Sequence, residues 1–537
     1  MKSLFACSVP GALFVAAALL VGIGGCGSNR SRGPAEGEAQ VNLGTTIGSV
    51  AQVVTPTNTA VEGFGLVGNL AGTGSATCPP QVRAYLKQYI LAQLPDDSIN
   101  ADNLINSDTT AVVRIEGAMP PLASAGDHFD VRATLIPGSE TTSLQGGWLY
   151  NAELYPQGFG GMAGRVLARV EGPTFVDMTD VAEIDPTTAY VLGRGRVEDS
   201  YMAIISLPES SYALASAIRD RLSEQYGPSV VKRAAPDSIQ YVVPSRFAGR
   251  KLEFVAMVAA TFLEDSPELF QRRVDYYIAK LASGEDVQSS EIALEAIGRR
   301  AVDYLTPLLD VAEADVRFSA ARVMLNLGDD RALPVLREAA MNPASAHRLE
   351  AIKTVADSAR RSEAVTLLRI LLRDSDMRVV LAAYERLRDM GDTSISQDFV
   401  GRSFYLERVA RAEQKAVFAA RQGDPRIVIF GGPLTCSDDV FVQSPAGDVV
   451  ISARPGQGYM SLARQDPARG GLIGPLRTGY LLTEVIRALG AETNLTGEGQ
   501  VSGLEVSYGE ILALLQRMCA SGAVDAEFWP GPLAEFE

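Results

Sequence analysis

The pattern of apolar and polar residues divides the chain into three parts, the first of which runs from about residue 41 to 265. Short apolar runs lie there between glycine and proline turns. Residues 110–117 and 129–136 partly alternate apolar with polar side chains, which predicts half-buried strands. The same criteria predict further strands at 239–243 and 251–258 and amphipathic helices at 82–94 and 211–226. This mixture predicts an α+β region.

The second part, residues 266–424, has a helical pattern. Between about 268 and 420 the strand pattern vanishes, glycine becomes rare and apolar residues recur at helical spacing. Three arginines open equivalent helices at spacings of 31 and 30 residues: Arg317, Arg348 and Arg378. Their partner helices begin at spacings of 31 and 32 residues with Ala301, Ala332 and Ala364. This period is typical of HEAT-type repeats and predicts an α-solenoid, whose stacked pairs leave a long outer surface for partners.

In the third part, residues 425–537, strands return. The apolar runs 426–432 and 448–452 predict two of them, and helices are predicted at 480–489 and 508–520. Ser507 and Glu510 have the spacing of a capping box, in which two side chains satisfy free backbone amides at the start of a helix.

Composition and charge limit the classes of function. The 537 residues, 47% hydrophobic and 21% charged, are enough for several globular domains. A formal net charge of -16, with no dense lysine and arginine stripe, repels phosphate backbones, so nucleic acid is not an expected partner.

The N-terminus has the features of an export signal. Residues 1–25 combine a charged start with a short apolar run, and small residues stand directly before Cys26, as in the lipobox of bacterial lipoproteins. We therefore expect a lipoprotein signal peptide, acylation of Cys26, and a flexible tether at 26–40. Since residue 27 is glycine, not the aspartate that retains lipoproteins at the inner membrane, an outer-membrane anchor facing the periplasm is expected. The alternative is an ordinary signal peptide cleaved nearby.

Cysteine usage leaves the disulfide state open. Without Cys7 in the signal and Cys26 at the lipid, three thiols remain, so that one intrachain bridge is possible at most. A bridge between Cys436 and Cys519 is slightly favoured among the possible pairs, while three thiols that include Cys78 are an equal alternative.

Candidate catalytic and cofactor motifs are weak. Residues 63–68 fit G-x-G-x-x-G, but a glycine-rich loop follows where a dinucleotide-binding motif needs a helix. His128 is predicted to be a solvated residue between a turn and a strand, and His347 to pack at a helix start. Arg317, Arg348 and Arg378 are interpreted as a solvated or interhelical ion-pairing row. We expect no catalytic residue, metal ligand or cofactor, and hence no enzyme.

Four stretches carry a more specific signal. Residues 61–74 form a ladder of glycines that ends in Gly-Thr-Gly, and residues 110–131 form a strand, a paired-proline turn and a strand. Residues 143–149 fit Ser-Leu-x-Gly-Gly-x-Leu, and residues 510–527 form a closing helix and strand. All four resemble the flagellar P-ring protein family, over about residues 41–265 and 425–537.

The resemblance implies a structural subunit of a closed periplasmic ring that surrounds the flagellar rod and acts as a bushing without an active site. It implies further copies of the chain as partners and contacts with rod and L-ring proteins. This chain departs from the family in its predicted lipid and in the helical repeats, which interrupt the module.

The sequence thus predicts an α+β, P-ring-like module that is interrupted by an α-solenoid of HEAT-like repeats. The alternative function is an outer-membrane lipoprotein scaffold that binds protein partners through its repeats, outside the flagellum.

Overall fold

The computed structural model describes residues 42–93, 100–158, 160–180, 182–465, 470–493 and 502–536. The predicted signal peptide, Cys26 and the tether lie outside these residues. Within them, no helix combines the length and the apolar character needed to cross a membrane.

The N-terminal region is a barrel with a small sheet beside it. Its strands are β1 Gln52–Val53, β2 Thr59–Gly68, β3 Ala111–Met119, β4 His128–Leu135, β5 Trp148–Pro156, β6 Ala168–Pro173, β7 Thr188–Val197, β8 Ala203–Ser206, β9 Val231–Ala234 and β10 Ser238–Tyr241. Its helices are α1 Ile47–Val50, α2 Pro80–Gln93, α3 Ala101–Ile105, α4 Tyr212–Tyr226 and α5 Lys251–Ala260, with a 3-10 helix at Ser245–Arg250. Strands β2-β3-β4-β7-β6-β5 close into the barrel, and β1-β8-β10-β9 form the N-terminal sheet.

The prediction of a strand at residues 251–258 is wrong, because this segment is helix α5. Its buried side chains are Phe254, Val255, Met257 and Val258. They recur at helical spacing and pack with Ile205 and Ile239 of the N-terminal sheet in one core. A short and almost wholly apolar run contains too little polar contrast for the sequence to distinguish a helix from a strand.

The helical segment follows, from residue 267 to 389. Its α-helices are α6 Pro267–Ser283, α7 Val287–Ile297, α8 Val302–Leu305, α9 Ala314–Asn326, α10 Leu333–Met341, α11 Arg348–Ser358, α12 Arg361–Leu371 and α13 Met377–Asp389, and 3-10 turns lie at Arg299–Ala301, Thr306–Asp310 and Asp330–Ala332. Successive members of one layer, α7, α9, α11 and α13, pack on each other, while α6, α8, α10 and α12 cover that layer.

The C-terminal region contains two sheets. Its elements are β11 Ser396–Val400, β12 Phe404–Val409, β13 Ala416–Arg421, β14 Arg426–Phe430, β15 Val440–Gln443, β16 Val449–Ala453, β17 Met460–Gln465, β18 Leu472–Thr478, α14 Leu482–Gly490, α15 Tyr508–Ala520 and β19 Glu527–Leu533. The central sheet has the order β11-β12-β14-β13-β19, and β15-β16-β17-β18 form a meander. Strands β11–β13 correct the expectation that no strand lies between 268 and 420, since the helices end at Asp389.

Strands β13 and β14 of the central sheet are buried on both faces. Phe418, Val428 and Phe430 point into the core of the helical segment. Val417 and Ile427, which point the other way, pack against α14 and α15. A strand buried on both faces carries an unbroken apolar run instead of an alternating one, which explains the composition of β13 and β14.

A buried polar cluster joins the helical segment to this sheet. Glu407 of β12 is 0% exposed and accepts hydrogen bonds from the Tyr384 hydroxyl and, at 2.9 Å, from Nε of Arg388. Both donors lie on α13, and Nε of Arg426 donates to the Tyr384 hydroxyl at 3.2 Å. A buried carboxylate is tolerated only with such partners, so the cluster fixes how α13 meets the sheet.

The three cysteines among the described residues are free. Cys436 and Cys519 do not form the bridge that the sequence slightly favoured, and Cys78 is free as well. Burial raises the pKa of the Cys436 thiol to about 12 and that of Cys519 to about 11. Both therefore stay protonated at neutral pH, and a protonated thiol is a poor nucleophile for disulfide formation.

The predicted capping box at the start of α15 is confirmed, and it is buried. The Ser507 hydroxyl oxygen accepts from the Glu510 amide and Oε2 of Glu510 accepts from the Ser507 amide, both at 3.4 Å, and Glu510 itself is 0% exposed. Burial, together with the nearby Asp448 carboxyl, raises the pKa of Glu510 from its ordinary value of 4.5 to about 7.

We predict that Glu510→Gln removes a pH dependence of stability. Because the pKa is raised in the folded state, the contribution of the protonated carboxyl is complete below pH 4.5 and is lost as pH rises through about 7. The variant should match the original chain near pH 4.5 and be more stable at pH 8, by up to about 3 kcal/mol. Urea unfolding across this pH range measures the difference. Glu527→Gln, at an exposed position of β19, is the control and should leave the pH profile unchanged.

Candidate functional site: the glycine-packed seam of the barrel

Strand β2 packs so closely against its neighbours that a side chain larger than glycine would collide at Gly63 and Gly65. We call this strand, together with its contacts to β3 and β5, the glycine-packed seam. Strand β2 pairs with β3 on one side and with β5 on the other. A Cβ atom on Gly65 would lie 2.8 Å from Cδ1 of Ile115 and 2.9 Å from Cδ1 of Leu149. A Cβ atom on Gly63 would meet the backbone carbonyl oxygen of Glu153. The G-x-G-x-x-G pattern therefore packs neighbouring strands closely and does not open a helix.

The motif stretches in the first part of the sequence meet at this seam. In the β2–β5 ladder, Val67 stands opposite Leu149 and Gly68 opposite Trp148. The turn before β5 is closed by the Thr174 hydroxyl, which donates to the carbonyls of Leu144 and Gly147 at 2.7 and 2.9 Å. Segments about 80 residues apart in sequence thus form one continuous surface.

A buried carboxylate holds the loop that follows β5. Glu62 is 6% exposed, and its Oε1 accepts hydrogen bonds from the backbone amides of Gly158 and Gly160 at 3.1 and 3.0 Å. Its Oε2 accepts from Arg114 at 3.0 Å. The sequence analysis missed this role, although a glutamate within an otherwise apolar strand was a usable signal.

The paired-proline turn connects the barrel to α5. Leu122 is buried there in a left-handed conformation, with φ 55°. Nζ of Lys251, at the start of α5, donates to the Leu122 carbonyl at 3.0 Å and to Oδ2 of Asp127 at 3.1 Å. The turn is therefore fixed by contacts on both of its sides.

An uncharged groove of about 650 Å³ lies beside the seam. It is lined by Asn69, Leu70, Ala71, Asn100, Asn103, Leu104, Ser107, Thr109, Thr110 and Tyr150. These described lining residues offer amides, hydroxyls and one aromatic ring, and none of them is a lysine, arginine, histidine, aspartate or glutamate. Such a surface can hold a neighbour by hydrogen bonding and packing.

His128 is exposed, as the sequence predicted, and stands opposite Arg196 in the β4–β7 ladder. The carboxylates beside it in sequence are engaged elsewhere. Asp127 contacts Lys251, while Asp130 accepts hydrogen bonds from the backbone amides of Gly193 and Gly423. The three side chains therefore do not form an acid–base site.

His347 packs at the start of α11, as predicted. Its ring stacks on that of Phe318 with centroids 4.3 Å apart, and its Nε2 is 2.9 Å from Oδ1 of Asp315. Across all residues that the structure describes, no group of three or more histidine, cysteine, aspartate or glutamate side chains could hold a metal ion.

The arginine row of the repeats has structural contacts. Arg348 pairs with Asp374, and Arg378 with Asp376 at 2.8 Å, as expected of ion pairs. Arg317 differs, since its guanidinium donates to two backbone carbonyls in the turn before α9.

The barrel is docked on the central sheet by groups that the sequence did not reveal. Asp130 accepts from the amide of Gly423 at 2.9 Å, and burial raises the pKa of this carboxyl. Arg421 contacts Asp177 at 2.8 Å, and the rings of Phe175 and Tyr508 lie 5.5 Å apart. The two regions on either side of the helical segment are therefore in direct contact.

We predict that Gly63→Ala destabilises the chain by about 3 kcal/mol, because the added methyl group would collide with backbone, which cannot move aside. Urea unfolding followed by circular dichroism measures the change. Gly432→Ala is the matched control, since a Cβ atom there meets nothing within 4 Å. Equal stability of the two variants would contradict the close packing of the seam.

Comparison with known proteins finds relatives of the region that contains the barrel. Residues 46–274 match the family model described as flagellar P-ring protein. A flagellar P-ring protein of Helicobacter pylori strain P12 is 26% identical over 220 residues, which cover 40% of this chain and 61% of that protein. One from Geotalea uraniireducens strain Rf4 is 25% identical over 249 residues, covering 43% of this chain and 64% of that protein.

A third relative, from Shewanella oneidensis, is 25% identical over 260 residues and is covered to 68% of its length. The chain spans about three fifths of the Helicobacter relative. The match ends at residue 274, so the resemblance of residues 425–537 stays a prediction. Residues 46–274, which contain the barrel and its glycine-packed seam, are thus similar to flagellar P-ring proteins, and the predicted resemblance is confirmed over these residues.

Proposed function

We propose that this protein is a structural subunit of a P-ring-like periplasmic assembly around the flagellar rod, where it acts as a bushing without catalysis. Its partners are further copies of the same chain, arranged in a ring, and the rod and L-ring proteins. The match of residues 46–274 to the P-ring family carries the proposal.

The geometry of the matched region supports a structural role. Its residues pack strands, hold loops and close turns, as the contacts of Gly65, Glu62 and Thr174 illustrate. The groove beside the seam offers hydrogen bonds and an aromatic ring, which suit adhesion between rigid surfaces.

The same proposal places the chain at the periplasmic face of the outer membrane, held by a lipid on Cys26 and a tether over residues 26–40. The apolar run before Cys26 and the small residues next to it support this anchor. A net charge of -16 argues against nucleic acid as a partner.

Deletion of the gene and electron microscopy of isolated basal bodies test the assembly. We expect cells without the protein to yield rods that lack a periplasmic ring, and the full chain, solubilised in detergent, to form rings. As a control, the deletion strain complemented with the original gene should regain the ring. Intact basal bodies in the deletion strain, together with a strictly monomeric purified chain, would contradict the proposal and favour a scaffold outside the flagellum.

Replacement of the lipidated residue tests the anchor separately. We expect Cys26→Ser to abolish incorporation of radiolabelled palmitate and to move the protein from the membrane fraction to the soluble fraction, because the thiol that accepts the lipid is gone. Cys78→Ser, which leaves Cys26 in place, should keep both the label and the fractionation. Unchanged labelling of the Cys26→Ser variant would exclude the lipid at this residue.

A further inference from the structure

A polar ladder runs through the layer of the helical segment that α7, α9 and α11 share. Nδ2 of Asn326 donates to Oε1 of Glu295 at 2.6 Å, and the Ser358 hydroxyl donates to Oδ1 of Asn326 at 2.7 Å. Each residue lies on a different helix, 31 and 32 positions apart. We call the surface formed by Glu295, Asn326, Ser358 and the adjacent Asp357 the ladder face. Repeat proteins commonly offer such a surface, built from equivalent positions, to a partner.

Residues 245–260 of the same chain cover the ladder face. Arg250, at the end of the 3-10 helix before α5, donates to Oε2 of Glu295 at 2.9 Å. A Cβ atom on Gly249 would lie 2.9 Å from Oδ1 of Asp357, so backbone approaches this carboxylate closely. The partner position of the ladder face is therefore filled from within the molecule.

Burial shows that this contact is a packed interface. Arg250 and Glu295 are each only 8% exposed. Ala296, on α7, belongs to the same core as Phe254 and Val258 of α5 and the N-terminal sheet. While the surfaces are in contact each charge depends on the other, since removal of one would leave its partner buried without compensation.

The opposite end of the helical segment is anchored as firmly. Arg388 and Tyr384 of α13 hold the buried Glu407 of the central sheet. One continuous core extends from Leu294 on α7 to Phe430 on β14. A close-packed stack of this kind transmits displacement from end to end, because its interior has no room to absorb it.

We propose that the helical segment is an internal clamp that binds residues 245–260 of its own chain through the ladder face and the central sheet through α13. It thereby couples the N-terminal sheet to the C-terminal region. The ladder face is not a docking surface for another protein.

Native-state hydrogen exchange of the full chain, followed by mass spectrometry, tests this coupling. Arg250→Ala removes the contact of residues 245–260 with Glu295, which is the near end of the clamp. Arg388→Ala removes a contact of α13 with Glu407, which is the far end. We expect each variant to raise exchange in β8 and β10 of the N-terminal sheet by about tenfold or more, while exchange in barrel strand β3 changes less than about twofold. Either substitution is expected to open the same clamp. Exchange in β8 and β10 of the double variant should therefore be at most about threefold faster than in the stronger single variant.

Arg360→Ala is the matched control, since Arg360 lies on the same segment in an exposed ion pair with Asp330 and should leave exchange in β8 and β10 unchanged. If an alanine variant does not fold, Arg250→Lys and Arg388→Lys are measured in the same way. These variants keep the positive charge but lose the forked donor geometry of the guanidinium group. Unchanged exchange in β8 and β10 after the far-end substitution would overturn the proposal. The proposal would also be overturned if the increase in exchange of the double variant equalled the product of the two single increases.

Discussion

The arrangement of the molecule depends on the burial of both faces of the central sheet. Strands β13 and β14 are apolar on each side, so neither face can meet water, and two different layers must cover them. The helical segment covers one face, and α14 with α15 covers the other. Glu407 and Arg426 are buried charged residues of this sheet, and both form hydrogen bonds with Tyr384 of α13, where the helices attach.

The sequence predicted those elements whose pattern is local. The barrel strands β3 and β4, helices α2, α4 and α15, and the stacked helix pairs were found from period and spacing, because alternation and helical recurrence reflect burial on one side only. Helix α5 was mistaken for a strand, and strands β11 to β13 were hidden inside a predicted helical region. Elements buried on several sides lose the polar positions on which pattern analysis relies.

The candidate site shows a similar division. Motif spacing identified the glycine-rich stretch and its resemblance to the P-ring family, and it predicted the exposed position of His128 and the packing of His347 at a helix start. It did not locate Glu62, Asp130 or Arg250, whose partners lie 96, 293 and 45 residues away in sequence. A single buried charge in an apolar run marks such a residue, but only the folded structure supplies its partner. The clamp also reverses the usual expectation for repeats, since their ladder face is already occupied.

The contact between Asp130 and Gly423 has a consequence for the order in which the chain folds. These residues are 293 positions apart, and Asp177 and Arg421 are 244 apart, whereas the barrel strands lie within 139 consecutive residues. Contacts of long sequence separation form late, because their loop-closure entropy must be overcome first. A chain that emerges from its N-terminus can therefore complete the barrel and the helices before the central sheet exists. We therefore expect docking of the barrel on that sheet to be a late step, before which Phe175 is not covered by Tyr508, its partner in the finished fold.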